Sequence, residues 1–118
     1  MPREYGRNKR VADLVQRELA EIIQREQTDT GIQLVTVSYV DVSPDLSHAK
    51  VFVTCLDTNK SKHEVIEILN KFAGHFRHFL SKRLTLRIVP RIKFYYDESV
   101  ERGTYLSALI DSLNKDKE

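Results

Sequence analysis

Two neighbouring runs, Leu34-Val35-Thr36-Val37-Ser38-Tyr39-Val40-Asp41-Val42 and Ala49 to Leu56, constrain what this chain can fold into more than any other feature. The first is too rich in β-branched residues for a helix. The second alternates Ala49, Val51, Val53 and Cys55 with Lys50, Phe52, Thr54 and Leu56, which is the period of a strand. Ser43-Pro44-Asp45 between them is turn chemistry, so the two strands are expected to pair antiparallel. A pair with one apolar face needs cover, and the flanking segments supply it. Val11, Leu14, Val15, Leu19, Ile22 and Ile23 form one stripe of an amphipathic helix over residues 8–26, and Gly31 punctuates the chain after it.

Downstream, Ser61-Lys62-His63-Glu64 is a capping box, in which a serine oxygen and a glutamate carboxylate satisfy each other's free backbone N–H groups at a helix start. The core stripe of that helix is Val65, Ile66, Leu69 and Ala73, and Gly74 then predicts a kink or break. Beyond the break a third helix turns Phe76, Phe79 and Leu80 inward and His75, Arg77, His78, Ser81 and Lys82 outward. After Pro90, Ile92, Phe94 and Tyr96 alternate with Arg91, Lys93 and Tyr95 as a third strand. Val100, Leu106, Leu109, Ile110 and Leu113 predict a C-terminal helix, with Gly103 near its start and a charged tail over 114–118. The expected fold is therefore α+β, a three-stranded sheet covered by helices. It forms one domain with its core over about residues 8–113 and a basic N-terminal arm over 1–10. A chain of 118 residues, 41% of them hydrophobic, suffices for a single core without staples.

Charge is unevenly spread. Net charge is only +2, but residues 1–12 carry +3, residues 13–70 carry −5, residues 71–96 carry +7 without a single Asp or Glu, and residues 97–118 carry −3. Gathering the positive charge into two stretches is the electrostatic footprint of a phosphate-backbone binder. The candidate contacts are Arg7, Lys9 and Arg10 in the first stretch, and Lys71, Gly74, His75, Arg77, His78, Lys82, Arg83 and Arg87 in the second. Gly74 enters because bare backbone at a helix break lets RNA approach closely. Tyr95 is a base-stacking candidate, although packing under the C-terminal helix accounts for it as well.

Nothing in the sequence assembles catalytic chemistry. His48, His63, His75 and His78 do not converge, and His75 with His78 lacks a nearby third ligand for a metal. Cys55, the single cysteine, excludes an internal disulfide and reads as an inert thiol in an apolar strand. No glycine-rich phosphate loop is present, no apolar run approaches membrane-spanning length, and no signal peptide is visible. The expectation is a cytoplasmic, monomeric, non-enzymatic binder of RNA, without cofactor, metal, membrane or small-molecule substrate.

The order of elements, with a helix-glycine-helix unit between the second and third strands, resembles a type II KH-like domain. More specifically it resembles the ribosome-binding factor A family of bacterial small-subunit assembly factors. The resemblance rests on Arg10-Val11-Ala12, Val35-Thr36-Val37-Ser38, Val40-Asp41-Val42-Ser43, Asp45-Leu46 and Ala49-Lys50-Val51-Phe52-Val53-Thr54. It continues through Leu84-Thr85-Leu86-Arg87-Ile88-Val89-Pro90 into Phe94-Tyr95-Tyr96-Asp97, covering nearly the whole chain. The family's interhelical kink has the form Ala-x-Gly, and the corresponding Phe72-Ala73-Gly74 keeps only the glycine. What the resemblance implies is a factor that binds 16S rRNA in the free 30S ribosomal subunit and assists late rRNA maturation, including processing at the 5′ end. A general KH-like RNA-binding or ribosomal protein and a protein-interaction adaptor are the alternatives.

Overall fold

The computed structural model of the chain describes residues 6–57 and 59–99. In chain order the elements are α1 Arg7–Arg25, α2 Gln27–Thr30, β1 Val35–Val42, β2 His48–Cys55, α3 Lys62–Lys71, α4 Ala73–Arg83 and β3 Arg91–Tyr96. The sheet order is β1-β2-β3, with β1 antiparallel and β3 parallel to β2. The α3–α4 unit is the crossover that a parallel pair requires. Expected strands and helices match these elements to within a few residues, and the C-terminal helix expected from Val100 onward lies outside the described residues. Among the described residues no helix is long and apolar enough to cross a membrane.

Three helices cover one face of the sheet. Val15 and Leu19 from α1, Val65 and Leu69 from α3, and Phe76 and Leu80 from α4 meet Val51, Val53 and Phe94 of the sheet, all fully buried. Ala12 replaces Leu14 on the buried stripe of α1, Leu14 being half-buried. The capping box forms as expected. Glu64 N–H donates to Ser61 Oγ at 3.1 Å and Ser61 N–H to Glu64 Oε1 at 3.2 Å. Because β3 is an edge strand, its backbone needs partners on its open side. Asn70 provides them from α3, accepting from Phe94 N–H at 2.7 Å and donating to the Phe94 carbonyl at 3.2 Å.

The backbone departs from the sequence reading at the N-terminus. The basic arm expected over 1–10 is helical from Arg7 onward, and Asn8 Nδ2 fastens this first turn to the Val42 carbonyl at 3.1 Å. Strict alternation along β1 fails at Ser38, where a bulge shifts the register between Val37 and Tyr39. An extra residue in one strand reverses which side chains face the core. Val37 and Val40 are thus both buried while Ser38 and Tyr39 are exposed. The Ser38 hydroxyl donates to Asp97 Oδ2 at 2.6 Å, with the Phe52 carbonyl at 3.1 Å as the alternative acceptor. This bond is the first cause, with those from Ser99, holding the Asp97 carboxyl below its usual range.

The β1–β2 turn is organised around Asp45, whose Oδ1 accepts from the hydroxyls of Ser43 and Ser47, each at 2.7 Å, and from Ser47 N–H at 3.1 Å. These bonds lower its pKa from 3.8 to about 2. A carboxylate whose folded pKa is depressed stabilises the fold above its unfolded value and ceases to do so as pH falls through the folded one. Asp45→Asn is therefore expected to lower the thermal midpoint at neutral pH. In melts followed by circular dichroism, the gap to the parent chain should narrow as pH drops from 3.8 toward about 2.

Candidate nucleic-acid interface

The helix break sits at Phe72, two residues before the glycine expected to make it. Phe72 adopts φ −92° and ψ 2°, closes α3 by donating to carbonyls of its last turn, and opens α4. Its ring lies 6.2 Å from that of Phe76 and 6.3 Å from that of His75, so contact with α4 directs the turn. Gly74 lies in the first turn of α4, and a Cβ built there would meet nothing within 4 Å. Its missing side chain therefore serves no packing within the described residues. It leaves backbone bare at the start of a basic helix, where unpaired N–H groups favour anions.

Opposite flanks of α4 are electrostatically different. Toward α1, His75 Nε2 lies 3.4 Å from Glu26 Oε1, and Arg83 Nη1 lies 3.2 Å from Glu18 Oε1 and 3.6 Å from Glu21 Oε2. The pairing of Arg83 with Glu18 and of His75 with Glu26 makes the two helices antiparallel. Arg83 has only 23% of its side chain exposed. Both side chains were expected to meet phosphate, and both instead lie against the acidic edge of α1. Glu26, Asp29 and His75 also place one ligand atom each within 4.8 Å of one another.

The other flank is open. Arg77 donates from Nε and Nη2 to the Val89 carbonyl at 3.1 and 2.9 Å, which straps the 84–90 loop to α4. Between helix and loop lies a cleft of about 560 Å³ lined by Gly74, Arg77, His78, Ser81, Arg87, Ile88 and Val89. Four of the expected contacts, Gly74, Arg77, His78 and Arg87, thus come together from positions up to 13 residues apart in a loop-and-helix arrangement. A second depression of about 290 Å³ shares Gly74 and Arg77 and adds Arg91, which was not among the expected contacts. Lys71 and Lys82 are exposed beside this surface, on the last turn of α3 and one helical turn beyond His78. No ion pair among the described residues engages Lys71, Lys82, Arg87 or Arg91.

Arg7, Lys9 and Arg10 are exposed but stand apart from the cleft. They precede Glu18 by 8 to 11 residues on α1, which is roughly 12–17 Å along the helix axis. Lys9 lines a different depression of about 180 Å³ at the β1 edge, shared with Asp13, Gln16, Tyr39 and Asp41.

Comparison with known proteins gives a consistent picture. The sequence model of the family described as Ribosome-binding factor A matches residues 7–110. A protein of that name from Nitrosococcus oceani is 51% identical over 94% of this chain and 87% of its own length. One from Pseudomonas paraeruginosa is 47% identical over 94% and 88%. Among solved structures, the crystal structure of ribosome-binding factor A from Thermus thermophilus superposes with a TM-score of 0.67 at 27% identity, covering 78% of this chain and 97% of that one. A Thermus thermophilus ribosome binding factor A homology model fitted into the cryo-EM map of a 30S complex gives a TM-score of 0.60 at 25% identity, over 72% and 89%.

Proposed function

Because the chain belongs to the ribosome-binding factor A family, we propose that it binds the free 30S ribosomal subunit through its 16S rRNA. There it assists late maturation of that rRNA, including processing at the 5′ end, as a cytoplasmic, monomeric binder that breaks no bond itself. The observation that carries this reading is the α4 cleft, where Gly74, Arg77, His78 and Arg87 converge with no carboxylate among the described residues that line it. Arg77, His78 and Arg87, flanked by Lys71 and Lys82, grip the rRNA backbone, and bare backbone at Gly74 allows close approach. Arg7, Lys9 and Arg10 form a second, separate backbone contact. His75 and Arg83 act by holding α4 on α1 rather than by touching RNA.

A passive binder alters maturation only if it prefers one rRNA conformation to another, since ligands shift equilibria by their differential affinity. The protein therefore favours a local conformation of the immature subunit and leaves when the mature one forms. Sedimentation of the tagged chain through a gradient tests this. Cofractionation with free small subunits is expected, and cofractionation with translating ribosomes would identify a ribosomal protein instead.

A further inference from the structure

The three strands carry one aromatic ring each at the same level of the sheet's outward face. Tyr39, Phe52 and Tyr95 are register partners, and their inward neighbours Val40, Val51 and Phe94 are buried in the core. The rings form a row, with centroids 5.6 Å apart from Tyr39 to Phe52 and 5.5 Å apart from Phe52 to Tyr95. Tyr39 is 49% exposed. The next level along the strands holds Asp41, Lys50 and Lys93, and the one after it holds His48 and Arg91, all exposed. Lys93 Nζ reaches back to 5.5 Å from the centre of the Tyr95 ring. Among the described strand residues and their immediate flank, Asp41 and Asp97 are the carboxylates of this face, and Asp97 is engaged by the hydroxyls of Ser38 and Ser99.

The ends of the row coincide with the two basic stretches of the sequence. At the β3 edge, Arg91 shares a depression with Gly74 and Arg77 of the α4 cleft. At the β1 edge, Tyr39 shares one with Lys9 and also with Asp13. The aromatic row thus runs from the mixed-charge depression of Lys9, Asp13 and Asp41 toward the basic surface that Arg91 shares with α4. A row of rings, inclined 39° and 27° to their neighbours and half-buried at Phe52 and Tyr95, flanked by Lys and Arg, suits unpaired nucleotides, which offer base faces to rings and phosphates to cations, whereas a duplex hides its base faces.

We propose that the outward face of the sheet is a stacking platform for single-stranded RNA, with Tyr39, Phe52 and Tyr95 taking bases and Lys50, Lys93 and Arg91 taking phosphates. The platform extends the RNA-binding reading above and rests on it. The test uses the full chain with fluorescein-labelled single-stranded RNA dodecamers and the matching duplex. Tyr39→Leu with Tyr95→Leu should weaken single-strand binding roughly tenfold or more, since stacking on each ring is lost, and should leave duplex binding unchanged. Tyr39→Phe with Tyr95→Phe keeps the rings and should bind as the parent does. In the unaltered chain, photocrosslinking with 5-iodouridine should label Tyr39, Phe52 or Tyr95.

Equal single-strand affinity in the leucine pair would overturn the platform, as would crosslinks confined to residues 74–89. Parallel loss of single-strand and duplex binding would also overturn it. Loss of subunit binding with oligonucleotide affinity intact would make the face a protein-docking surface and overturn it too. Failure of the parent chain to bind single strands would overturn the platform alone, because association with free small subunits is decided separately by sedimentation.

Discussion

Replacing Lys71, Lys82 and Arg87 together by glutamate is expected to weaken binding to free small subunits on the order of a hundredfold or more near physiological salt. All three side chains are exposed, and no ion pair among the described residues engages them, so the fold does not depend on their charge. Each phosphate contact made by a basic residue releases about 0.7–0.9 of a counterion, so losing three should flatten the plot of log affinity against log salt by about two to three units. Arg77 is left intact in this variant for a structural reason. Its guanidinium holds the Val89 carbonyl, so Arg77→Glu would disturb the 84–90 loop as well as remove a charge. Normal binding by the triple variant, with a circular dichroism spectrum like the parent's, would remove the α4 surface from the account. Affinity that barely responds to salt would point to a protein-interaction adaptor.

Phe76→Ala is expected to be the most destabilising single change among the described aromatic residues. Phe76 has no exposed surface, and its ring meets Phe94 of β3 at 5.8 Å edge-on and Phe72 at 6.2 Å. It joins the helix that carries the basic cleft to the strand that carries Arg91. Truncating a buried phenylalanine costs about 3–5 kcal/mol, a large share of the roughly 5–15 kcal/mol that holds a domain of ordinary stability. Thermal melts should show the midpoint falling by roughly 15 °C or more, or no cooperative transition at all. Phe79→Ala, at a half-buried position on the same helix, should cost less. A midpoint for Phe76→Ala within a few degrees of the parent would mean that α4 is not packed as described.

Periodicity and capping chemistry made most of the fold legible from sequence. The inward side chains of β2 and β3 and the start of α3 depend on neighbours within a few residues, and each was readable locally. What escaped depends on partners far away in sequence. The bulge at Ser38 is tied to Asp97, 59 positions later. It is also what places Tyr39 outward, beside Phe52, when simple alternation from Val35 and Val37 would have sent it into the core. Gly74 was readable as a weak point in a helix. The turn nevertheless falls at Phe72, because an aromatic side chain packed against α4 selects the backbone conformation there more strongly than a neighbouring glycine loosens it.

The candidate site was legible as a charge pattern but not as a surface. Within the acid-free sequence from Lys71 to Tyr96, His75 and Arg83 nevertheless face the carboxylates of Glu18, Glu21 and Glu26. Those glutamates lie on α1, and only the antiparallel packing of α1 on α4 brings the two charge patterns together. Arg91 carries no local signal of its place, because only the packing of β3 against α4 sets it beside Gly74 and Arg77.

In the proposed complex the α4 cleft lies against rRNA of the free small subunit. Ultraviolet crosslinking of the unaltered chain to purified free 30S subunits, followed by identification of the crosslinked peptides, tests it most directly. Crosslinks to 16S rRNA within residues 74–91, around Gly74, Arg77, His78 and Arg87, are the predicted result. A chain that binds the subunit but crosslinks there only to ribosomal proteins, with residues 74–91 free of RNA adducts, would contradict it.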